Sequence, residues 1–219
     1  MNSHSCTVCT SFLLSQIFFE MVVVNKHTKI ISAATKVFAK KGFFTARISD
    51  IAKEAKVADG TIYIYFNNKY DILLSIFEEE IGKIFAKTEK LLSEEQDPSR
   101  MLQIYVSQYL QAMKKNKYLG EVIQIELRQT NKVIRNYRKN KFSAYTNIIS
   151  DIIRKGQDQG IYRPDILPDV AKRAFFGALD EVSGVWNISL ETHYSVEEIT
   201  EQILSFFLQG VLLDTNQVK

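Results

Sequence analysis

The stretch VADGTIYIYF, residues 57–66, constrains the fold more than any other part of this chain. An Asp-Gly pair followed by alternating apolar residues has the form of a hairpin turn leading into a strand. A strand over residues 61–66 would need a partner run nearby, and the preceding segment is rich in Ala, Lys and Glu, good helix formers and poor strand formers. The Asp-Gly is therefore read as the start of a helix, with Asp59 as its N-cap. Ile62 and Phe66 then face one way, and Thr61, Tyr63 and Tyr65 face others. Upstream, Ile48, Ile51, Ala52 and Ala55 repeat at helical spacing, leaving residues 56–58 room only for a tight turn. Further upstream, Ile30, Ile31, Ala34, Val37 and Phe38 form a stripe over residues 26–41, which Gly42 terminates. Three short helices, the last two joined by a tight turn, make a helix-turn-helix. Its expected core is Ile30, Val37, Phe38, Ile51, Ala55, Val57, Ile62 and Phe66.

Charge points the same way. The formal net charge is only +3. Residues 26–69, however, hold nine Lys and Arg against three acidic residues, whereas residues 70–219 hold nineteen against twenty-one. The charge that could meet an anionic partner is in the helix-turn-helix segment. The second helix of such a unit enters the DNA major groove by its N-terminal end. Gly60 lets a phosphate approach the backbone. Tyr63, Tyr65 and Lys69 are placed for phosphates, which fix register, and Thr61 for a base edge or thymine methyl. Asp59 is spent on capping or accepts from a cytosine amine.

The remaining chain reads as helices over residues 68–95, 100–115, 119–130, 133–159, 168–190 and 196–213. With only 3 Pro and 9 Gly, long helices are favoured over a turn-rich β fold. SEEQDPSR (93–100) is a linker in which Pro98 opens a helix, and KGQDQGIYRPDILP (155–168) is a break. The last two helices carry Ala174, Phe175, Ala178, Leu179, Val182, Val185 and Trp186, then Ile199, Ile203, Phe206, Phe207 and Val211, a set suited to core or interface. Gly177, Ala178 and Gly184 permit close approach there. SFLLSQIFF (11–19) is too short to span a membrane and has no preceding Lys or Arg. Residues 1–24 are read as an extension, disordered or dispensable, with Met21 a possible natural start. Cys6 and Cys9 have metal-clip spacing but no second clip, so a loose tail with free thiols and a cytoplasmic chain without stable membrane association are expected.

Gly42-Phe43, Ile48, DIAKEA (50–55), Val57, GTIYIYF (60–66), Lys69 and Leu73 together resemble the DNA-binding domain of TetR-family transcriptional regulators. VADGTIYIYFNNKYDIL (57–73), ELRQTN (126–131) and FGALDEVSGVW (176–186) are similar to the acyl-CoA-responsive regulators of fatty-acid degradation within that family, the FadR type. The resemblance implies an all-α homodimer. A helix-turn-helix domain over residues 25–70 would bind a palindromic double-stranded DNA operator. A helical ligand-binding and dimerisation domain over residues 71–215 would follow, its last two helices forming a four-helix interface with a second copy. The DNA-binding set it implies is Arg47, Ser49, Lys56, Ala58, Asp59, Gly60, Thr61, Tyr63, Tyr65 and Lys69. The chain departs from the family pattern at three of these. Arg47 stands where a capping Ser or Thr is usual, so the cap must come from elsewhere. Lys56 stands where Gly is usual, and Ala58 replaces a frequent Ser.

The effector implied is a long-chain acyl-CoA, with no cofactor or metal. Tyr105, Tyr109, Met113, Val122, Ile123, Leu127, Phe175, Phe176 and Leu179, with Met101, are the candidates for its apolar pocket, flexible Met suiting variable chain length. Arg128 suits a phosphate or thioester, or else pairs with Glu126, Asp180 or Glu181. Lys132, Arg135, Arg138, Lys139 and Lys141 could meet nucleotide phosphates or form a solvated helix face. Two other readings stand beside a repressor released by acyl-CoA. One is a regulator of an efflux pump induced by a hydrophobic drug. The other is a helical adaptor that binds no DNA. An enzyme is not expected: none of the three His lies in a nucleophile or metal motif, and no phosphate-binding Gly-rich loop occurs.

Overall fold

The computed structural model describes residues 26–188 and 194–213. Helices dominate, and the β pairing among the described residues is one antiparallel bridge between Tyr162 and Leu212. The chain forms two compact units, one ending at Ile76 and one beginning at Phe77.

In the first unit, α1 spans residues 26–41, α2 Ile48–Ala55, α3 Asp59–Tyr65 and α4 Lys69–Ile76. Gly42 takes a left-handed φ of 74° and its N–H donates to Phe38 O at 2.8 Å, ending α1 where the sequence places the stop. Ile30, Val37, Phe38, Ile51, Ile62 and Phe66 are buried as expected, joined by Phe43, Ala46, Ile72, Leu73 and Ile76. Ala55 and Val57, expected in the core, are only half-buried, because both lie at the end of α2 where the chain turns outward. The apolar residues of α4 belong to this unit, so the division falls after Ile76 and not at the expected 70/71.

In the second unit a π-helical turn at Phe77–Ile81 leads into α5 Gly82–Leu92. Then follow α6 Pro98–Lys115, α7 Lys117–Glu126 and α8 Lys132–Tyr137. A second π turn, Arg138–Phe142, precedes α9 Ser143–Asp158, α10 Pro168–Ile188 and α11 Val196–Val211. The helices expected over 68–95 and 133–159 are thus each interrupted by a wide turn. The two turns meet. The Phe77 and Tyr137 rings stack at 5.3 Å, and Glu78 forms an ion pair with Lys141. A 3.6-residue period carries no signal for this, since one extra residue per turn is set by the partner across the gap.

Helix α10 packs mainly on α9, and α11 mainly on α6. Between α10 and α11, Phe175 and Phe207 meet edge to face at 4.4 Å. Ala174, Ala178 and Val182 on α10 and Phe206 on α11, expected as apolar stripe, are exposed, Phe206 by 77%. Gly184 serves α7 instead of α11: the Gln124 side chain fills the space that a Cβ there would need. The side chains of Val185 and Trp186, residues 1–24 and the Cys6/Cys9 pair lie outside the described residues. Among those described, no helix is long and apolar enough to cross a membrane, and no group of three or more His, Cys, Asp or Glu could hold a metal.

Candidate functional site

The turn between α2 and α3 determines what the first unit presents. Val57 N–H donates to Ala52 O at 3.0 Å and Lys56 N–H to Lys53 O at 3.2 Å. This paired closure puts Lys56 in the left-handed region, φ 56° and ψ 47°. That conformation costs a residue with a Cβ about 1–2 kcal/mol. Lys56→Gly is expected to raise thermal stability by up to about 1 kcal/mol, since the entropy of glycine in the unfolded chain takes back part of the gain. Calorimetry checks this. A lowered Tm would mean that contacts of the Lys56 side chain outweigh its backbone strain.

At the other end of α2, Arg47 is the N-cap residue, and the cap does come from elsewhere. The Asp50 carboxylate accepts from Arg47 N–H at 3.0 Å and from Lys41 Nζ at 2.7 Å. The Lys41 ammonium, and then the Arg47 N–H, hold the Asp50 carboxyl below its ordinary range. Glu54 pairs with Lys36, so α2 is fastened to α1 on two sides.

Helix α3 begins one residue earlier than expected. Ala58 is its N-cap, extended at φ −74° and ψ 150°, and makes no side-chain cap. Asp59 lies inside the first turn, so the expectation that it caps the helix is corrected. The backbone leaves the turn at Lys56, which brings Ala58 and not Asp59 to the boundary. Arg47, Ser49, Lys56, Ala58, Asp59, Gly60 and Tyr63 are exposed, and Thr61 and Tyr65 are half-buried. The Tyr65 ring meets His27 edge-on at 6.0 Å. A Cβ at Gly60 would meet nothing within 4 Å, so internal packing does not require glycine there. Ile64, absent from the expected set, is 76% exposed, an apolar residue on the outer face of α3 suited to a thymine methyl. Only the lack of any core partner in its register could have singled it out.

Lys69 is placed differently from the expectation. Its ammonium donates to the carbonyls of Phe43, Phe44 and Ala46 at 2.5, 3.1 and 2.8 Å and lies 4.7 Å above the Phe43 ring. It fastens the α1–α2 loop. A cation so committed orders the unit, a role the sequence reading did not assign to it.

The second unit contains an open cleft of about 770 Å³. Its apolar lining includes Ile123, Leu127, Phe142 and Phe176. Around them stand Arg128, Arg135, Arg138, Lys139, Lys172 and Arg173, with Asp180 as the acidic member. Arg128 pairs with Asp180 at 2.6 Å, one of the alternatives read from sequence, and Lys172 pairs with Asp169 at 2.9 Å. Among the described residues, the side chains of Arg135, Arg138, Lys139 and Arg173 have no hydrogen-bond or ion-pair partner. Asp180 is buried and fully engaged: its second carboxylate oxygen accepts from Tyr109 at 2.7 Å, and its carbonyl from Gln124 at 2.7 Å.

Of the expected pocket residues, Ile123, Leu127, Arg128 and Phe176 line this cleft. Tyr105, Tyr109, Met113, Val122, Phe175 and Leu179 do not; all six are buried in the packed interior. In this structure they are core and not lining of the open cleft, because the rings of Tyr105, Tyr109 and Tyr145 pack against one another. The basic cluster divides. Arg135, Arg138 and Lys139 face the cleft, while Lys141 turns away to Glu78. Lys172 and Arg173 were missed. Their signal is the register Arg173, Phe176, Gly177, Asp180, which is one helical face and meets the cleft throughout.

The family models described as "Bacterial regulatory proteins, tetR family" and "YsiA-like protein, C-terminal region" match residues 30–76 and 77–210. The chain is 32% identical over 186 residues to the fatty acid metabolism regulator protein of Bacillus subtilis, covering 85% of this chain and 95% of that protein. Among solved structures it is similar to the fatty acid degradation regulator FadR from Bacillus halodurans. That match has 34% identity and a TM-score of 0.77, with 84% of this chain and 95% of the other covered. It is also similar to FadR from Bacillus subtilis in complex with stearoyl-CoA, at 32% identity and a TM-score of 0.77, covering 84% and 98%. A tight-turned helical pair with a glycine free of internal duty, followed by a helical unit that opens a basic cleft, is what these models span nearly end to end, and the chain belongs to the TetR family of bacterial regulatory proteins.

Proposed function

We propose that the protein is a dimeric transcriptional repressor of fatty-acid degradation genes, held on a palindromic operator through α3 and released when a long-chain acyl-CoA occupies the cleft of the second unit. The observation that carries the effector reading is the pairing of four unpartnered cations with an apolar floor in one cleft. That combination suits an amphiphile with a polyanionic head and a hydrocarbon tail. The stearoyl-CoA held by the Bacillus subtilis relative agrees with it. A hydrophobic drug, the efflux-pump alternative, would satisfy the floor and leave the cations unmatched. The exposed row Ala174, Ala178 and Val182 on α10 and the exposed Phe206 on α11 support the dimer, since apolar residues left uncovered on both helices are suited to a second copy of the same helices.

Release follows from linkage. Ligand shifts the population toward whichever state it binds more tightly, here one whose two α3 helices no longer meet successive major grooves about one helical turn apart. The experiment is a gel shift on a palindromic operator with oleoyl-CoA, free oleate or CoA alone. Oleoyl-CoA is expected to release the DNA at concentrations where neither fragment does. Equal release by a neutral hydrophobic drug would favour the efflux reading, and unchanged binding with oleoyl-CoA would discard the effector assignment.

A further inference from the structure

Behind the cleft three tyrosines lie in series. The Tyr105 and Tyr145 rings stack at 4.9 Å and 24°, and the Tyr109 and Tyr145 rings at 6.4 Å and 27°. All three are buried, but their hydroxyls differ. Tyr109 donates to Asp180. The hydroxyls of Tyr105 and Tyr145 have no hydrogen-bond partner among the described residues. They lie beside each other, and that of Tyr145 beside Thr88, without reaching hydrogen-bond geometry; the Thr88 proton goes to Ile84 O at 2.8 Å. A buried hydroxyl left unpaired is destabilising, and phenylalanine has the same shape without it. Two at one point call for a partner.

A route leads to them. Phe142 and Phe176 line the cleft and meet edge to face at 5.4 Å. Phe176 touches the Tyr109 ring at 5.6 Å and Phe142 the Tyr145 ring at 6.3 Å. One aromatic layer therefore separates the basic cleft from the hydroxyl pair. Tyr145 lines a second cavity of about 340 Å³, together with Ile81, Phe85 and Tyr137 and the Glu78–Lys141 ion pair.

We infer that Tyr105 and Tyr145 are the hydrogen-bond donors for the carbonyl oxygen of an acyl thioester whose chain passes between Phe142 and Phe176 toward the cavity beyond Tyr145. This deepens the acyl-CoA reading and rests on it. Burial pushes both phenols above their ordinary range, so both keep their protons and remain neutral donors. A neutral carbonyl suits them. The carboxylate of a free fatty acid would be a buried charge with no cation beside it, which the interior penalises.

Calorimetric titration of the full chain with hexadecanoyl-CoA, its S-hexadecyl thioether and free hexadecanoate tests the inference. The thioether keeps head and tail and lacks only the carbonyl. The unsubstituted protein is expected to bind the thioester about ten-fold more tightly than the thioether, the worth of one or two buried hydrogen bonds, and hexadecanoate more weakly than either. Tyr105→Phe with Tyr145→Phe is expected to bind thioester and thioether equally, with an unchanged or raised Tm in the absence of ligand. Equal binding of the two by the unsubstituted protein, or ten-fold preference surviving in the double variant, overturns the assignment and leaves acyl-CoA binding intact. Failure of both CoA compounds to bind the unsubstituted protein removes the acyl-CoA reading and the assignment with it.

Discussion

Gly60→Glu is expected to weaken operator binding by about 100-fold or more while leaving the protein folded and at least as stable. The fold has room for the change: a Cβ at Gly60 meets nothing within 4 Å, and the position is exposed in the first turn of α3. Replacing a helical glycine gains up to about 1 kcal/mol, and an acidic side chain near a helix start adds a few tenths more. The cost falls on the complex. A carboxylate brought against a phosphate meets like charge, worth several kcal/mol in a desolvated contact, and a symmetric dimer meets it once in each half-site. Fluorescence anisotropy with labelled operator, alongside a melting curve, checks both halves. A variant that melts higher and binds as before would remove α3 from the DNA interface. Gly60→Ala separates the contributions, since a methyl tests close approach alone.

Much of the first unit was legible because its determinants are local. The spacing of Ile48, Ile51 and Ala52, the three-residue gap to Ala58, and the Ile62–Phe66 pair are enough to define two helices and the turn between them. What was misread there depends on single torsions or distant partners. Asp59 reads as the cap because residue spacing alone does not fix the length of the turn: with Lys56 left-handed, the N-cap of α3 falls at Ala58. The anchoring of Lys69 to three carbonyls is not legible either, because carbonyls carry no residue-type signal and these lie in a loop more than twenty positions upstream.

In the second unit the helices themselves were legible and the cleft was not. Its lining comes from α7 and the residues just after it, α8, the π turn at Arg138–Phe142, α9 and α10, stretches that no local pattern relates. For Arg128 the partners could be narrowed to a phosphate or thioester or one of three carboxylates, Asp180 among them, because a guanidinium has few fates. Tyr105, Tyr109 and Met113 were placed in a pocket because an apolar helix face reads the same whether it lines a cavity or fills it. The hydroxyls distinguish the two, and only the structure shows which of them are satisfied.

Reversing Arg138 and Arg173 together, as Arg138→Glu with Arg173→Glu, is expected to lower acyl-CoA affinity by about 100-fold or more and to leave ligand-free operator binding unchanged. The two residues come from different elements, the second π turn and α10, and both line the cleft. Neither has an ion-pair partner among the described residues, so reversal breaks no native pair. It also lowers the repulsion among the cations that share the cleft. Each charge-assisted bond to a phosphate is worth about 1.5–3 kcal/mol, and losing two gives the stated factor before any repulsion from the new carboxylates is counted. A ligand shifts an equilibrium only through its differential affinity for the two states. The variant should therefore stay on the operator at oleoyl-CoA concentrations that release the unsubstituted protein. Anisotropy with labelled operator titrated by oleoyl-CoA measures both quantities in one experiment. Release at the same concentration for both proteins would place the anionic head elsewhere, whereas loss of operator binding without ligand would mean that the cleft and α3 are coupled even when no effector is bound.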